Sequence, residues 1–332
     1  MSKVHDSMMM SDTIIPYNAD GTIKKPDRIN RLSDLLIKSF WATPGREHIL
    51  LAFINSLLSD FDMYDSVVTT DGKTLRSPQF VSASITNPEI ASSQQDRKSS
   101  RLDVLAVMDD GTKVNIEVQV QNEAGLFNRF DYYSAGILRV DLKQGDSYAD
   151  VMPLIHIIIT SANLFKNRDD FVTRTLRMVP GTNIMEGDAV VRYYLELSKL
   201  KLSDYRQLRR SEAWALYLSC IDKNAPWKEL EAVDSVFKDV RSIEEKFFGS
   251  KEKYLAYLQE EKAQMAARNQ LYTAREEGRE EERQKNKAKM AEMISTMIAE
   301  GLSLEAIANI TKLSREEIEE AAATVTGTEE KR

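Results

Sequence analysis

The run Pro153–Thr160, PLIHIIIT, narrows the fold more than any other stretch of this chain. It is almost continuously apolar and bounded by polar residues, which suits a strand buried on both faces. Such a strand needs neighbours in a sheet and helices over both surfaces. The preceding sequence provides them. Between Glu123 and Val140 the spacing is helical, with Leu126, Phe130, Tyr133, Ile137 and Val140 on one stripe, and the segment Lys143–Asp150, with Gly145, ends the helix. Ahead of it, Arg101–Gln121 (RLDVLAVMDDGTKVNIEVQVQ) alternates as two strands about a tight turn. A hairpin followed by a helix and another strand implies a mixed sheet with a right-handed crossover.

Upstream, Asp27–Trp41 carries Ile29, Leu32, Leu36 and Phe40 at a helical period. Thr43-Pro44 predicts a second helix start, a hydroxyl N-cap followed by proline at the first helical position. Leu50, Ile54, Leu57 and Leu58 mark the apolar side of that helix. Ser66–Thr70 and Gln79–Ile85 read as strands, with Asp71-Gly72 as a turn signal between them, and Val190–Leu197 offers one more. From Ser211 onward the pattern is helical: Glu212–Ile221, Trp227–Phe248, then a charged stretch from Lys251 to about Glu300. Its interleaved acids and bases are the composition of a solvated helix supported by i,i+4 ion pairs. Ser303 caps a short helix, and Ser314 with Glu317 makes a capping box for the last one. The expected organisation is a disordered segment at 1–26, an α/β domain at 27–200, a helical extension packed on it at 201–250, a long charged helix at 251–300, and a short helical pair with a disordered tail at 301–332.

Composition excludes several classes. The chain has 332 residues and a formal net charge of −7, so any basic footprint for nucleic acid must be local. One cysteine, Cys220, and three histidines build neither a disulfide framework nor a structural zinc site. The first residues lack the apolar core of a signal peptide, and no apolar run approaches the length of a bilayer. A glycine-rich phosphate loop of the Walker type is also missing, so no nucleotide cofactor is expected. The expectation is a cytoplasmic protein with no membrane attachment.

The hairpin carries the candidate chemistry. Glu117, Gln119 and Gln121 share one face of its second strand, and Ile116, Val118 and Val120 share the other. Polar residues on one face of a hairpin ordinarily face water. The direction of Asp103 depends on register. A two-residue Asp110-Gly111 turn pairs Asp103 with Val118 and sends the two acids to opposite faces. A three-residue loop, Asp109–Gly111 with left-handed glycine, pairs Asp103 with Glu117. Both turns are chemically allowed, and the second makes a divalent-metal site. Two carboxylates directly opposite repel unless a cation or proton compensates.

Residues spread along the chain resemble a known family. Asp34-Leu35-Leu36-Ile37-Lys38 is similar to its Asp-x-x-Phe-Lys, with Ile37 in place of Phe. Asn55-Ser56-Leu57-Leu58, Arg101-Leu102-Asp103-Val104 and Asn115-Ile116-Glu117-Val118-Gln119 match further motifs, and Arg129, Tyr132-Tyr133, Gly145, Tyr148 and Pro153 continue the match. The family is that of the PD-(D/E)XK nuclease transposases, relatives of the recombination-promoting nucleases. The resemblance covers roughly Arg28–Thr160 strongly and the C-terminal helices loosely. It implies an α/β core of order α-β-β-β-α-β, a mixed central sheet flanked by helices, with an all-helical C-terminal extension. It also implies a metal-dependent DNA endonuclease, linked to recombination or mobile elements, with DNA as partner. Asp103 and Glu117 would bind Mg²⁺, with Mn²⁺ as a substitute, and activate a water. Gln119 stands where broader nucleases of this fold carry lysine. It can orient a water but supplies no charge. Asp34 would add a carboxylate and Lys38 meet a phosphate, although the two also read as a surface i,i+4 ion pair. Glu47 competes with Asp34 for the first-helix acid.

Two further surfaces stand out. The segment Arg192–Arg210, with Lys199, Lys201, Arg206, Arg209 and Arg210, is the best local candidate for phosphate contacts, and Arg129 on the crossover helix is another. The terminal helical pair lacks a third helix and a basic recognition face, since Glu316, Glu317, Glu319 and Glu320 would repel DNA. Met290, Met293, Ile294, Met297 and Ile298 need a covering surface, so the tail is expected to cap the chain or to form a homo-oligomer. His156 reads as a core histidine and His48 as a surface one.

Overall fold

The structure, a computed structural model, describes residues 16–60, 67–74, 77–86, 89–90, 100–101, 104–119, 123–139, 142, 144–187, 189–202 and 204–329. The chain divides into two compact units, Met1–Leu258 and Gln259–Arg332.

The first unit is built on a six-stranded sheet. In chain order its strands are β1 (Ala83–Thr86), β2 (Val104–Met108), β3 (Lys113–Val118), β4 (Leu154–Thr160), β5 (Val172–Thr175) and β6 (Val190–Glu196). They lie side by side as β1-β2-β3-β4-β6-β5. The first three pair antiparallel, β3–β4 and β4–β6 pair parallel, and β5 closes the edge antiparallel to β6. The mixed sheet, with β3 and β4 parallel on either side of the α3 connection, is the one the sequence implies. Every residue of β4 is buried, as its apolar run requires. β5 has no counterpart in the sequence reading, because four residues with two threonines and an arginine give no distinct period.

Helices cover both faces. The unit's helices are α1 (Asp34–Trp41), α2 (Glu47–Ser59), α3 (Leu126–Arg139), α4 (Arg210–Ser219), α5 (Trp227–Val233) and α6 (Val236–Gly249). α1, α2, α4 and α6 pack on Val114, Ile116, Ile155, Ile157, Ile159 and Leu195, forming the main core. Within it Trp41 stacks on Phe53 at 4.3 Å, and Trp214 contacts Trp41, Phe53 and Phe237. α3 covers the opposite face through Leu126, Phe130 and Ile137, which meet Ile158, Tyr194, Leu105 and Leu154.

Several boundaries differ from the periodicity. α1 begins at Asp34, capped by Ser33, whose Oγ accepts from Leu36 N. Residues 27–33 are drawn away from helix by pairing with 221–222: Ile29 N donates to Ile221 O, and Arg28 bridges Asp222. α2 begins at Glu47 and not at Pro44. Gly45 takes φ +85° and closes a turn in which Arg46 N donates to Thr43 O, while Thr43 Oγ1 donates back to Lys38 O. Val68–Thr69 turns at Asp71-Gly72 as expected, but pairs in parallel with Ile184–Met185 outside the central sheet. The helical stretch after Trp227 breaks at Asp234, whose Oδ1 accepts from Val236 N.

A buried ion pair fastens the helical layer. Arg31 donates from Nε and Nη2 to Glu244 at 2.8 and 3.2 Å, and from Nη1 to the carbonyls of Cys220 and Asp222. Tyr217 Oη donates to the same carboxylate at 3.0 Å. Both charged side chains are fully buried.

The second unit comprises the remainder of α7 (Lys251–Ala299), α8 (Leu304–Thr311) and α9 (Arg315–Glu329). The caps are those the sequence predicts: Ser303 Oγ accepts from Ala306 N, and Ser314 and Glu317 bond reciprocally. Ile294, Ile307 and Ile318 make a small core with Met290, Met297 and Leu313. The end of α7 is therefore the third helix that the tail by itself lacked, and α8 and α9 cover part of its apolar stripe. No helix among the described residues is long and apolar enough to cross a membrane.

The Arg31–Glu244 pair predicts a measurable asymmetry. Glu244→Gln leaves a buried guanidinium without its counter-charge and is expected to cost about 3–5 kcal/mol in urea unfolding. The double variant Arg31→Met/Glu244→Leu is expected to recover most of that loss. Equal stability of wild type and Glu244→Gln would remove the pair's structural role.

Candidate active site

The β2–β3 register is set by the loop. Val104, Leu105, Ala106 and Val107 lie opposite Ile116, Asn115, Val114 and Lys113. Met108 N donates to Thr112 O at 2.8 Å and Gly111 N to Met108 O at 3.0 Å, so the loop is the three-residue Asp109–Gly111 form. Gly111 takes φ +88°. Both loop aspartates serve the fold. Asp110 Oδ1 accepts from Thr112 N, and Asp109 Oδ1 accepts from Val81 N and Ser82 N, which holds its carboxyl below the usual range. Asp103, one step beyond Val104, lies outside the described residues, as do Val120 and Gln121.

Alternation along β3 sends Val114, Ile116 and Val118 into the main core and Asn115, Glu117 and Gln119 to the face under α3. That second face is not wet. Asn115, Glu117 and Gln119 are 0, 6 and 8% exposed. A buried carboxylate is costly unless something compensates it, which a purely solvent-facing row would never have to meet. Asn115 Nδ2 donates to Glu117 Oε1 at 3.3 Å, while Asn115 Oδ1 is buried and finds no donor among the described residues. Gln119 N continues the sheet by donating to Ile159 O at 2.8 Å. Its side-chain Oε1 accepts from Arg129 Nη2 on the first turns of α3. Arg129 also reaches Glu123 at 3.4 Å and lies over the Phe130 and Tyr133 rings.

The row continues across the sheet. Asn115 lies opposite His156 on β4, and His156 opposite Arg192 on β6. Ser134 Oγ on α3 donates to Phe130 O, so it accepts from His156 Nδ1 and from Arg192 Nη2. Arg192 in turn pairs with Asp131 at 2.6 Å. Burial, and then the charge of Arg192, push His156 down to about 3. It is thus a neutral core histidine, as expected. The pairing of Ser134 with His156 and Arg192 gave no sequence signal, because only the fold brings these two strands under one helix.

Other candidates fall elsewhere. Asp34 and Lys38 form the i,i+4 pair at 2.8 Å on α1, over the sheet face opposite α3. Glu47 Oε1 accepts from Gly45 N, and exposed His48 meets Asp239. The basic segment is matched by acids throughout. Lys199 is buried against Glu196 at 2.7 Å, Lys201 pairs with Asp169, Arg206 with Asp204, Arg209 with Asp60 and Glu212, and Arg210 with Asp234. Asn55 has a structural duty: its amide both donates to and accepts from the Phe80 backbone, anchoring α2 beside β1. Among the described residues no three His, Cys, Asp or Glu side chains gather as a metal site.

A mixed sheet under one crossover helix, with a buried Asn-Ile-Glu-Val-Gln strand beside a hairpin loop of fixed register, defines a nuclease-like α/β core. The chain belongs to the PD-(D/E)XK nuclease family transposases, whose family model matches residues 31–274. That membership supports a nuclease-like function acting on DNA. The curated proteins and the solved structures give no match to this chain.

Two stability measurements probe the site's frame. Gly111→Ala places a side chain at positive φ and in the way of Met152 Cε, and is expected to cost about 1–2 kcal/mol. An unchanged urea midpoint would show that the loop tolerates another geometry. For His156, the unfolded chain takes up its proton near 6.5 and the folded one only near 3. Its contribution is complete above about pH 6.5 and is lost as pH falls toward 3, at about 1.4 kcal/mol per unit. Wild type is therefore expected to lose about 2 kcal/mol more than His156→Leu between pH 7.5 and 5. Parallel pH dependences would show that His156 is not the titrating group.

Proposed function

We propose that the protein hydrolyses DNA phosphodiester bonds at the α3-covered face of the β2–β3 hairpin, with a divalent metal held by Asp103 and Glu117. The observation that carries this reading is the burial of Glu117 between Asn115 and Gln119 on a strand joined to β2 by the three-residue Asp109–Gly111 loop, the form under which the sequence reading pairs Glu117 with Asp103. The donors fit a hard cation: a carboxylate already oriented by Asn115, and beside it an amide oxygen that is buried without a donor among the described residues. When bound, Mg²⁺ or Mn²⁺ supplies a water of lowered pKa and neutralises charge building on the phosphate.

The chain's own groups do the rest. Asn115 Nδ2 holds the Glu117 carboxylate in place. The Gln119 amide orients water beside it. α3 covers the row and keeps bulk water from it, which strengthens each polar contact. In the reaction the oxygen of water bonds to phosphorus and one bridging P–O bond breaks. The proton from water passes to solvent, and the leaving oxygen takes a proton from solvent.

The test is plasmid cleavage by purified protein with Mg²⁺ or Mn²⁺, beside calorimetric metal titration. Asp103→Ala and Glu117→Ala are expected to lose both cleavage and metal uptake. Asn115→Ala, which keeps Asp103 and Glu117 but removes both the amide that orients Glu117 and the buried amide oxygen beside it, is expected to lose about 10–100-fold in rate. Cleavage by Asp103→Ala and Glu117→Ala at the wild-type rate would sink the assignment. DNA retention without metal-dependent cleavage by wild type would replace it with a binding role.

A further inference from the structure

Hydrolysis of a phosphodiester builds negative charge on the non-bridging oxygens, and a positive group fixed beside the phosphate lowers that barrier. The strand that carries Glu117 has none to offer at this point: Asn115 and Gln119 are neutral. Lys113 shares their face but stands four residues away, about 13 Å along the strand. Arg192 is held by Asp131 and Ser134 two strands over. Among the described residues, a cation is brought to Gln119 from α3. Arg129 Nη2 donates to Gln119 Oε1.

We propose that Arg129 is a catalytic residue that donates to a non-bridging oxygen of the scissile phosphate, and that Gln119 is the residue that positions it. The assignment rests on the nuclease reading above. Three observations carry it. The guanidinium is anchored at one nitrogen by a neutral amide, so its charge is not cancelled there. Its contact with Glu123 is 3.4 Å long and half exposed, a pairing that a phosphate can outcompete. Its Nε–H is buried with no acceptor among the described residues, while the side chain as a whole keeps about a third of its surface open at 35%. A planar guanidinium with unspent donors, partly desolvated and next to a buried carboxylate, is suited to a tetrahedral or pentacoordinate phosphate. As the water oxygen bonds to phosphorus and the bridging P–O bond breaks, the added charge falls on oxygens within this guanidinium's reach, and no proton leaves Arg129.

The experiment compares wild type with Arg129→Ala, Arg129→Lys, Gln119→Lys and Arg129→Ala/Gln119→Lys. Single-turnover cleavage is measured with Mg²⁺ and a duplex oligonucleotide, and duplex affinity is measured by anisotropy with Ca²⁺ in place of Mg²⁺. Arg129→Ala is expected to lose about 10²–10³-fold in single-turnover rate with less than about a threefold change in affinity. The double variant, which returns a cation to the same place from the strand, is expected to regain at least about tenfold of that. Arg129→Ala cleaving at the wild-type rate, or losing affinity in proportion to rate, overturns the proposal. If circular dichroism shows Arg129→Ala unfolded, the comparison moves to Arg129→Lys, for which an undiminished affinity with a rate reduced at least tenfold supports the role and an unchanged rate overturns it. A double variant that folds and stays as slow as Arg129→Ala also overturns it. Absence of metal-dependent cleavage by wild type is a separate result: it removes the nuclease reading and this assignment together.

Discussion

The alternation of β3 is the constraint on which the rest of the first unit depends. Its even positions, Val114, Ile116 and Val118, complete the core under α1, α2, α4 and α6, and its odd positions, Asn115, Glu117 and Gln119, lie polar and buried under α3. A slip of one residue would exchange the two sets, burying three polar side chains among aromatics and presenting valine and isoleucine to α3. The loop prevents this. Gly111 at positive φ permits the three-residue form, and the two loop aspartates are fastened to backbone N–H groups on either side. The pair Asp109-Asp110, rather than serving as ligands, fixes the register that turns Glu117 to the face under α3.

Much of this was legible in the sequence because it is local. An apolar run fixes β4, helical spacing fixes α3, and short-range hydroxyl and carboxylate signals fix the caps of α8 and α9. The two hairpin registers could be enumerated from the sequence but not chosen between, since both turns suit Asp-Asp-Gly; only the Met108–Thr112 hydrogen bond decides. What was not legible depends on segments far apart in the chain. Residues 27–33 have a helical period yet are not helical, because they pair with residues 221–222 and turn at Arg31-Leu32, from where Arg31 reaches Glu244, 213 positions later. The basic segment after Arg192 counted as a surface charge from sequence, yet Arg209 spends its charge on Asp60 and Lys199 on Glu196. Charge patterning alone cannot show which cations are already matched.

That matching sharpens the electrostatic problem for an acidic protein acting on a polyanion. Broad attraction is not available at a net charge of −7. Favourable charge has to be concentrated where the phosphate reacts, and in a partly desolvated place, where one guanidinium does more than several screened surface lysines. On the proposed reading Arg129 satisfies both conditions, and its distance from the Gln119 amide is governed by how α3 sits on the sheet.

The seat of α3 in turn depends on a neutral histidine. Leu126 and Phe130 supply contact area, but apolar packing alone does not select a helical register to within an ångström. Ser134 does so more sharply: its hydroxyl returns a bond to Phe130 O and receives His156 Nδ1 and Arg192 Nη2 from two adjacent strands. This holds only while His156 keeps one N–H and no net charge, beside an arginine two strands from the candidate site. Burial lowers its proton affinity far enough to secure that state at neutral pH. A residue with no part in the chemistry thereby fixes the helix, the helix fixes Arg129, and Arg129 meets Gln119 beside the one carboxylate that β3 buries.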